Sequence, residues 1–126
     1  MNARQRQLRS FDYLAHMLDA IRQARIYVEG LAKQDFMTDA KTQDAVVLKL
    51  LVLGEAATQI AIECQEFAAL HPEIPWKEMR GMRNRMAHGY FDINPEIVWE
   101  TVMRSLPDLE EKIAQIAASV PGHEAK

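Results

Sequence analysis

The residues able to do chemistry lie in one short stretch, Met82-Arg83-Asn84-Arg85-Met86-Ala87-His88-Gly89-Tyr90. Arginine keeps its charge at any physiological pH and presents a planar fork of donors that matches phosphate oxygens. Histidine titrates near neutrality, so it can take or give a proton during a reaction. The two together, beside an amide and a phenol, suit chemistry on a phosphodiester. Arg83 and His88 are therefore the candidate catalytic pair, with Asn84 in support, positioning the phosphate or the histidine. Tyr90 follows a glycine at an expected helix end, where backbone freedom can present its hydroxyl to another protein. Lys77, Arg80 and Arg85 could steer a phosphate or simply face solvent.

Charge distribution says more than the total. The 126-residue chain carries 15 Lys and Arg against 18 Asp and Glu, a net charge of −3, which argues for no general affinity for nucleic acid. Between Lys77 and His88, however, four bases face one acid, whereas Asp92 to Glu111 holds six acids and one base. A local positive patch on an acidic body fits a confined anionic ligand. The same contrast would also serve ion pairs between the two segments.

Other chemistries find little support. His16, His71 and His123 are scattered and no Cys/His/Asp cluster has metal-ligand spacing, so neither a metal nor a cofactor is expected. The one cysteine, Cys64, lies in an apolar helical stretch and reads as a buried structural thiol in a reducing compartment. Arg4, Arg6 and Arg9 near the N-terminus precede no apolar run of signal-peptide type, and the apolar run Ala45 to Leu53 is short and broken by Lys49. A cytoplasmic protein without a membrane segment is expected.

The elements that must hold the motif are helical. Ala, Leu, Met and Ile dominate over the β-branched and aromatic residues that strands prefer. Phe11, Leu14, Leu18, Ile21 and Val28 recur at helical spacing and Gly30 marks the end of a first helix. Thr38 or Asp39 can cap a long second helix to about Leu70, whose centre, Val46 to Leu53, is apolar on nearly every side and needs partners all round. Within it, Gly54 allows close helix approach, and Glu55 can pair with an arginine of the motif helix or face solvent; a purely structural Arg83 would form an ion pair with Glu55 or Glu100. That third helix spans about Pro75 to Ala87, and Trp76 and Trp99 on either side of the motif read as core or dimer contacts before base-stacking groups. Asn94-Pro95 reads as an N-cap followed by a first-turn proline. The last helix carries the stripe Val98, Val102, Leu106, Leu109, Ile113, Ile116 and Val120, is kinked or split at Pro107, and ends at Pro121-Gly122. The fold class is all-α, an up-and-down bundle of four main helices plus a short extra helix, in a single domain over residues 1–126.

Arg83 and His88 are five residues apart, which is roughly 140° around a helix at about 100° per residue. They do not converge within one rigid helix. Two identical helices meeting across a two-fold axis would bring both pairs into one cleft, so a homodimer is expected.

The wider pattern strengthens the motif. His71-Pro72-Glu73-Ile74-Pro75-Trp76, Gly81 to Phe91, Ile97-Val98-Trp99-Glu100-Thr101-Val102 and Leu53-Gly54-Glu55-Ala56-Ala57 together resemble the HepT-type branch of the HEPN superfamily, from about Phe11 to about Ile113. The Arg-x4-His-x-Tyr spacing is carried by Arg83, His88 and Tyr90; Asp92 departs from the glycine common after the Tyr-Phe pair of this branch. The resemblance implies a metal-independent endoribonuclease with its site at a dimer interface. His88 would activate the ribose 2′-OH or protonate the leaving 5′-oxygen, Arg83 would hold the scissile phosphate, and a 2′,3′-cyclic phosphate would result. It further implies a toxin of a type VII-like toxin–antitoxin pair acting on tRNA or mRNA, silenced by a minimal nucleotidyltransferase antitoxin that AMPylates Tyr90. A rival reading uses the same basic helix without catalysis, in a nucleotide-binding or docking subunit of a nucleotidyltransferase complex.

Overall fold

The two longest helices each begin where a side chain can satisfy free N–H groups. The computed structural model describes residues 2–119. Helix α1, Ala3–Tyr27, starts at Asn2, whose side chain accepts from Gln5 N while the Gln5 side chain accepts from Asn2 N, a reciprocal capping box. It ends before Gly30, whose φ of +79° only glycine adopts at no cost. A short α2, Lys33–Met37, follows, with Asp35 accepting from Ala32 N. Helix α3, Ala40–Glu63, is capped by Asp39, which accepts from Thr42 N.

The expected run of this helix to Leu70 is corrected. It breaks at Cys64, which leaves helical geometry (φ −127°, ψ 54°), and a separate α4 covers Gln65–Leu70. At the break Cys64 is buried, and its thiol donates to the Arg6 carbonyl of α1. Burial is also what pushes its pKa upward, as befits an inert structural thiol.

Helix α5, Trp76–His88, carries the motif; a 3-10 turn at Tyr90–Asp92 leads to Asn94, which accepts from Glu96 N with Pro95 in the first turn of α6, Pro95–Glu100. The last helix, expected to kink or split at Pro107, is divided just before it. A π turn over Thr101–Ser105, closed by Leu106 N donating to Thr101 O, joins α6 to α7, Leu106–Ala118. The wider turn absorbs the missing proline N–H that an α-helix could not. Val120 and Pro121-Gly122, read as the end of the stripe, lie outside the described residues.

Long helices pack in an up-and-down arrangement. The start of α1 meets the end of α3, where Tyr13 donates to Glu63 and Arg9 pairs with it. Trp76 at the start of α5 donates its indole N–H to the Ala68 and His71 carbonyls, fixing the corner after α4. Phe36 and Trp99 stack in the core with ring centroids 5.3 Å apart. Both tryptophans are thus structural.

Helix α3 is long and apolar enough to cross a membrane by length and composition alone, which the short run Ala45–Leu53 did not suggest. In the bundle it is a core helix: Val46, Leu50, Leu53, Ala57 and Ile60 are buried against its neighbours. Its outer side stays uncovered, with Leu48 at 56% and Ile62 at 50% exposure and Val52 between them. Half of the all-round partnering expected of this helix is met by the bundle.

Helix α1 is tied to α7 by Glu110, which takes Arg25 at 2.6 Å and Arg22 at 3.1 Å. Burial raises the pKa of this carboxyl, but the bonds from Arg25 and Arg22 outweigh it and hold the net value below the usual range. A depressed folded pKa contributes stability above the unfolded value and loses it as pH falls through the folded one. Glu110→Gln should therefore cost about 0.5–1 kcal/mol at neutral pH, a difference that closes on acidification below the ordinary carboxylate range. Thermal melts of both proteins across pH check it.

Candidate active site

Helix α5 leans on α3 and leaves its opposite face open. Met79 and Met86 form its buried edge. Lys77, Asn84 and His88, seven and four residues apart, fall on one strip, and all three are exposed. Arg80 and Arg85 are exposed as well, with an Arg85 guanidinium nitrogen lying over Gly81.

Arg83 sits where α5 and α3 come closest. A Cβ on Gly54 would stand 2.6 Å from Arg83 Cβ and 3.2 Å from the Met79 carbonyl oxygen, so only glycine permits this approach. The guanidinium then runs along α3 towards Glu55, with Arg83 Nε 3.6 Å from Glu55 Oε1. That is an ion pair at a distance too long for a hydrogen bond. The other Glu55 oxygen accepts from Gln59 Nε2 at 2.8 Å, which fixes the carboxylate. Arg83 Nε is buried and makes no hydrogen bond within the protomer. A buried charged donor left without an acceptor is costly, and sites that meet an incoming anion are where it is tolerated. Of the two carboxylates able to pair with Arg83, Glu55 does so; Glu100 instead pairs with Arg104 and Lys33.

Two recesses flank α5. The first, of about 460 Å³, is lined by Arg83, Ala87, Glu55, Gln59, Leu51 and Val52, with Tyr13 and His16 from α1. The second is a groove of about 950 Å³ between α5 and the α6–α7 helix, with His88, Arg85 and Asp92 at its lining and a floor of Met79, Met82, Met86, Val98 and Leu109. The π turn contributes Thr101, Arg104 and Ser105 to the same groove. Arg83 and His88 thus open on different sides of one helix, as their spacing requires.

His88 is the last residue of α5, followed by Gly89 N donating to Arg85 O at 2.8 Å. Tyr90 is 63% exposed, so its hydroxyl is open to solvent. The acids of the last helix draw their cations from elsewhere: Lys33 for Glu96 and Glu100, Arg22 and Arg25 for Glu110, and Lys112 for Asp108. Among the described residues no ion pair joins the basic motif helix to that acidic segment, which leaves Lys77, Arg80 and Arg85 available to a ligand. The described residues also hold no group of three or more His, Cys, Asp or Glu able to bind a metal ion.

His16 was not legible as a site residue. Nothing in its spacing links it to the motif; the packing of α1 on α3 alone brings it to the recess of Arg83.

Comparison with known proteins places the chain in a family. No solved structure matches the chain. A protein of Thermococcus cleftensis, provisionally named as a ribonuclease HepT, is 37% identical over 105 residues, 83% of this chain and 93% of that one. Two relatives with provisional RNase names come from Caldanaerobacter subterraneus and Methanocaldococcus jannaschii. The first is 36% identical over 104 residues, 82% of this chain and 90% of its own. The second is 32% identical over 114 residues, 90% of this chain and 88% of its own. The model of the family described as "Ribonuclease HepT-like" matches residues 17–116, the motif helix included, and the chain belongs to that ribonuclease family.

Proposed function

We propose that this protein is a metal-independent endoribonuclease toxin, acting in the cytoplasm as a homodimer and as one domain, with Arg83 and His88 as its catalytic residues. The observation that carries it is the buried Arg83 Nε, held off Glu55 at 3.6 Å and bonded to nothing, on the same helix as an exposed histidine. In the reaction, the ribose 2′-OH loses its proton to a histidine and attacks phosphorus. The P–O5′ bond breaks, the leaving oxygen takes a proton, and the ends are a 2′,3′-cyclic phosphate and a 5′-hydroxyl. Arg83 stabilises the charge that builds on the phosphate oxygens. Asn84, one turn before His88, positions the histidine or the phosphate, and Lys77, Arg80 and Arg85 hold flanking phosphates. Glu55 orients Arg83. Incubation with total RNA in EDTA, with the ends mapped, tests this reading: cyclic phosphate ends support it, and intact RNA or a strict requirement for added metal defeats it.

A second chain completes the site, because the two catalytic side chains of one protomer open on opposite sides of α5. The uncovered apolar side of α3, Leu48, Val52 and Ile62, supplies surface for that pairing. Light scattering at micromolar concentration should give twice the chain mass; an active monomer overturns the dimer.

Tyr90 is the proposed point of control, modified with AMP by a minimal nucleotidyltransferase antitoxin. Its exposed hydroxyl lies two residues from His88, so a bulky anionic adduct would occupy the site and compete with RNA phosphate for Arg83. Intact-mass analysis after co-expression with a neighbouring nucleotidyltransferase should show added AMP on Tyr90, absent in Tyr90→Phe. An unmodified Tyr90 in a neutralised complex would mean inhibition by binding alone.

A further inference from the structure

We propose that Phe91 is a stacking platform for an unpaired RNA base beside the scissile phosphate, an inference that rests on the ribonuclease reading above. Phe91 is 87% exposed, more than any other large apolar side chain of the described residues. An isolated exposed apolar residue is ordinary. This ring is not isolated: Tyr90 lies beside it, with centroids 4.4 Å apart and planes 34° from parallel, a tilted ring contact. One face of Phe91 is backed by Tyr90 and the bulk of the ring is open to solvent.

The backbone holds the pair in place. Gly89 N donates to Arg85 O at 2.8 Å and Asp92 N donates to Gly89 O at 2.9 Å, so the turn continues directly from the motif helix. Beyond it, Ile93 is half-buried against the core and anchors the other end. The platform is therefore fixed relative to His88, three residues earlier in the chain. Cations come with it: Arg85 and His88 occupy the last turn of α5. Rings beside cations are the parts that hold single-stranded nucleic acid without reading its sequence, since every base has a π-face. A protein contact would need only apolar area; two adjoining rings next to a phosphate-holding helix fit a base. Stacking would splay the strand at the site and place its backbone in line with His88, which a paired strand could not follow.

The test uses a single-stranded 2′-O-methyl oligoribonucleotide bearing 2-aminopurine, which binds but offers no 2′-OH for cleavage. Binding to the parent should quench 2-aminopurine fluorescence. Phe91→Ala should abolish the quench and weaken binding about 5- to 150-fold, the range that loss of one base stack gives. Phe91→Trp should retain both, and Phe91→Leu should restore neither. In cleavage assays on a single-stranded substrate the change should fall mainly on KM. Phe91→Ala that binds and cleaves like the parent overturns the platform. So does full rescue by Phe91→Leu together with dimer dissociation in Phe91→Ala, which would make the ring a protein contact. A parent that quenches the probe through Phe91 but cuts no RNA defeats the ribonuclease reading and leaves the platform standing.

Discussion

Replacing either Arg83 or His88 by alanine should lower RNA cleavage by roughly 10²–10⁴-fold while leaving the helical fold intact. The two losses have different origins. His88 is exposed at the end of α5 and touches nothing the bundle needs, so its removal takes away proton transfer alone. Arg83→Ala removes the cation proposed to hold the phosphate and also strands Glu55, which keeps only Gln59 as partner. Arg83→Lys should recover little, because a point charge cannot reproduce the planar fork. The mixed dimer is the sharper measurement. One Arg83→Ala chain and one His88→Ala chain, co-expressed and purified through two different tags, should regain about half the parent's activity, one composite site in two. A mixed dimer as inactive as either single variant would show that both residues must come from one chain. Growth arrest on expression should disappear with His88→Ala; arrest that persists would favour the non-catalytic docking reading.

The second large effect belongs to Gly54. A Cβ there meets Arg83 Cβ at 2.6 Å, a contact between stems that no rotamer change relieves. Gly54→Ala would otherwise gain from better helix propensity, by roughly 0.5–1 kcal/mol. The clash should reverse that sign, with a net loss of about 1–3 kcal/mol in chemical denaturation as α5 is pushed off α3. Cleavage should fall with it, since the same displacement moves Arg83 away from Glu55. Gly81 on the same helix is the control. Its added Cβ would meet only the mobile end of Arg85 at 3.3 Å, so Gly81→Ala should stabilise and leave activity in place. Equal effects at the two glycines would contradict the packing described.

Local chemistry made the helix ends readable in advance. Asp39 and Asn94 cap helices by accepting from N–H groups two or three residues on, and Pro95 opens α6, as residue types alone suggest. The separation of Arg83 from His88 around α5 also follows from spacing. What the sequence hides is decided at a distance. The break at Cys64 depends on its burial against α1 and its bond to the Arg6 carbonyl, 58 residues away. The division before Pro107 takes the form of a π turn, with Val102 and Leu106 both buried, which residue types alone do not indicate. The choice of Glu55 over Glu100 for Arg83, and the arrival of His16 beside it, are settled only once α1, α3 and α5 have packed.

The placement of Arg83 and His88 on opposite sides of α5 has a consequence for dosage. On the proposed composite site, a newly synthesised chain would hold two half-sites that cannot serve one another, and it would stay harmless until it met its copy. Below the dissociation constant of the pair, dimer abundance rises with the square of chain concentration. Within that range, a tenfold drop in chain concentration would lower the cutting roughly a hundredfold, and a modest burst would cross into arrest. The geometry of one helix would thus set a threshold, ahead of any antitoxin, for how much of this protein a cell can carry.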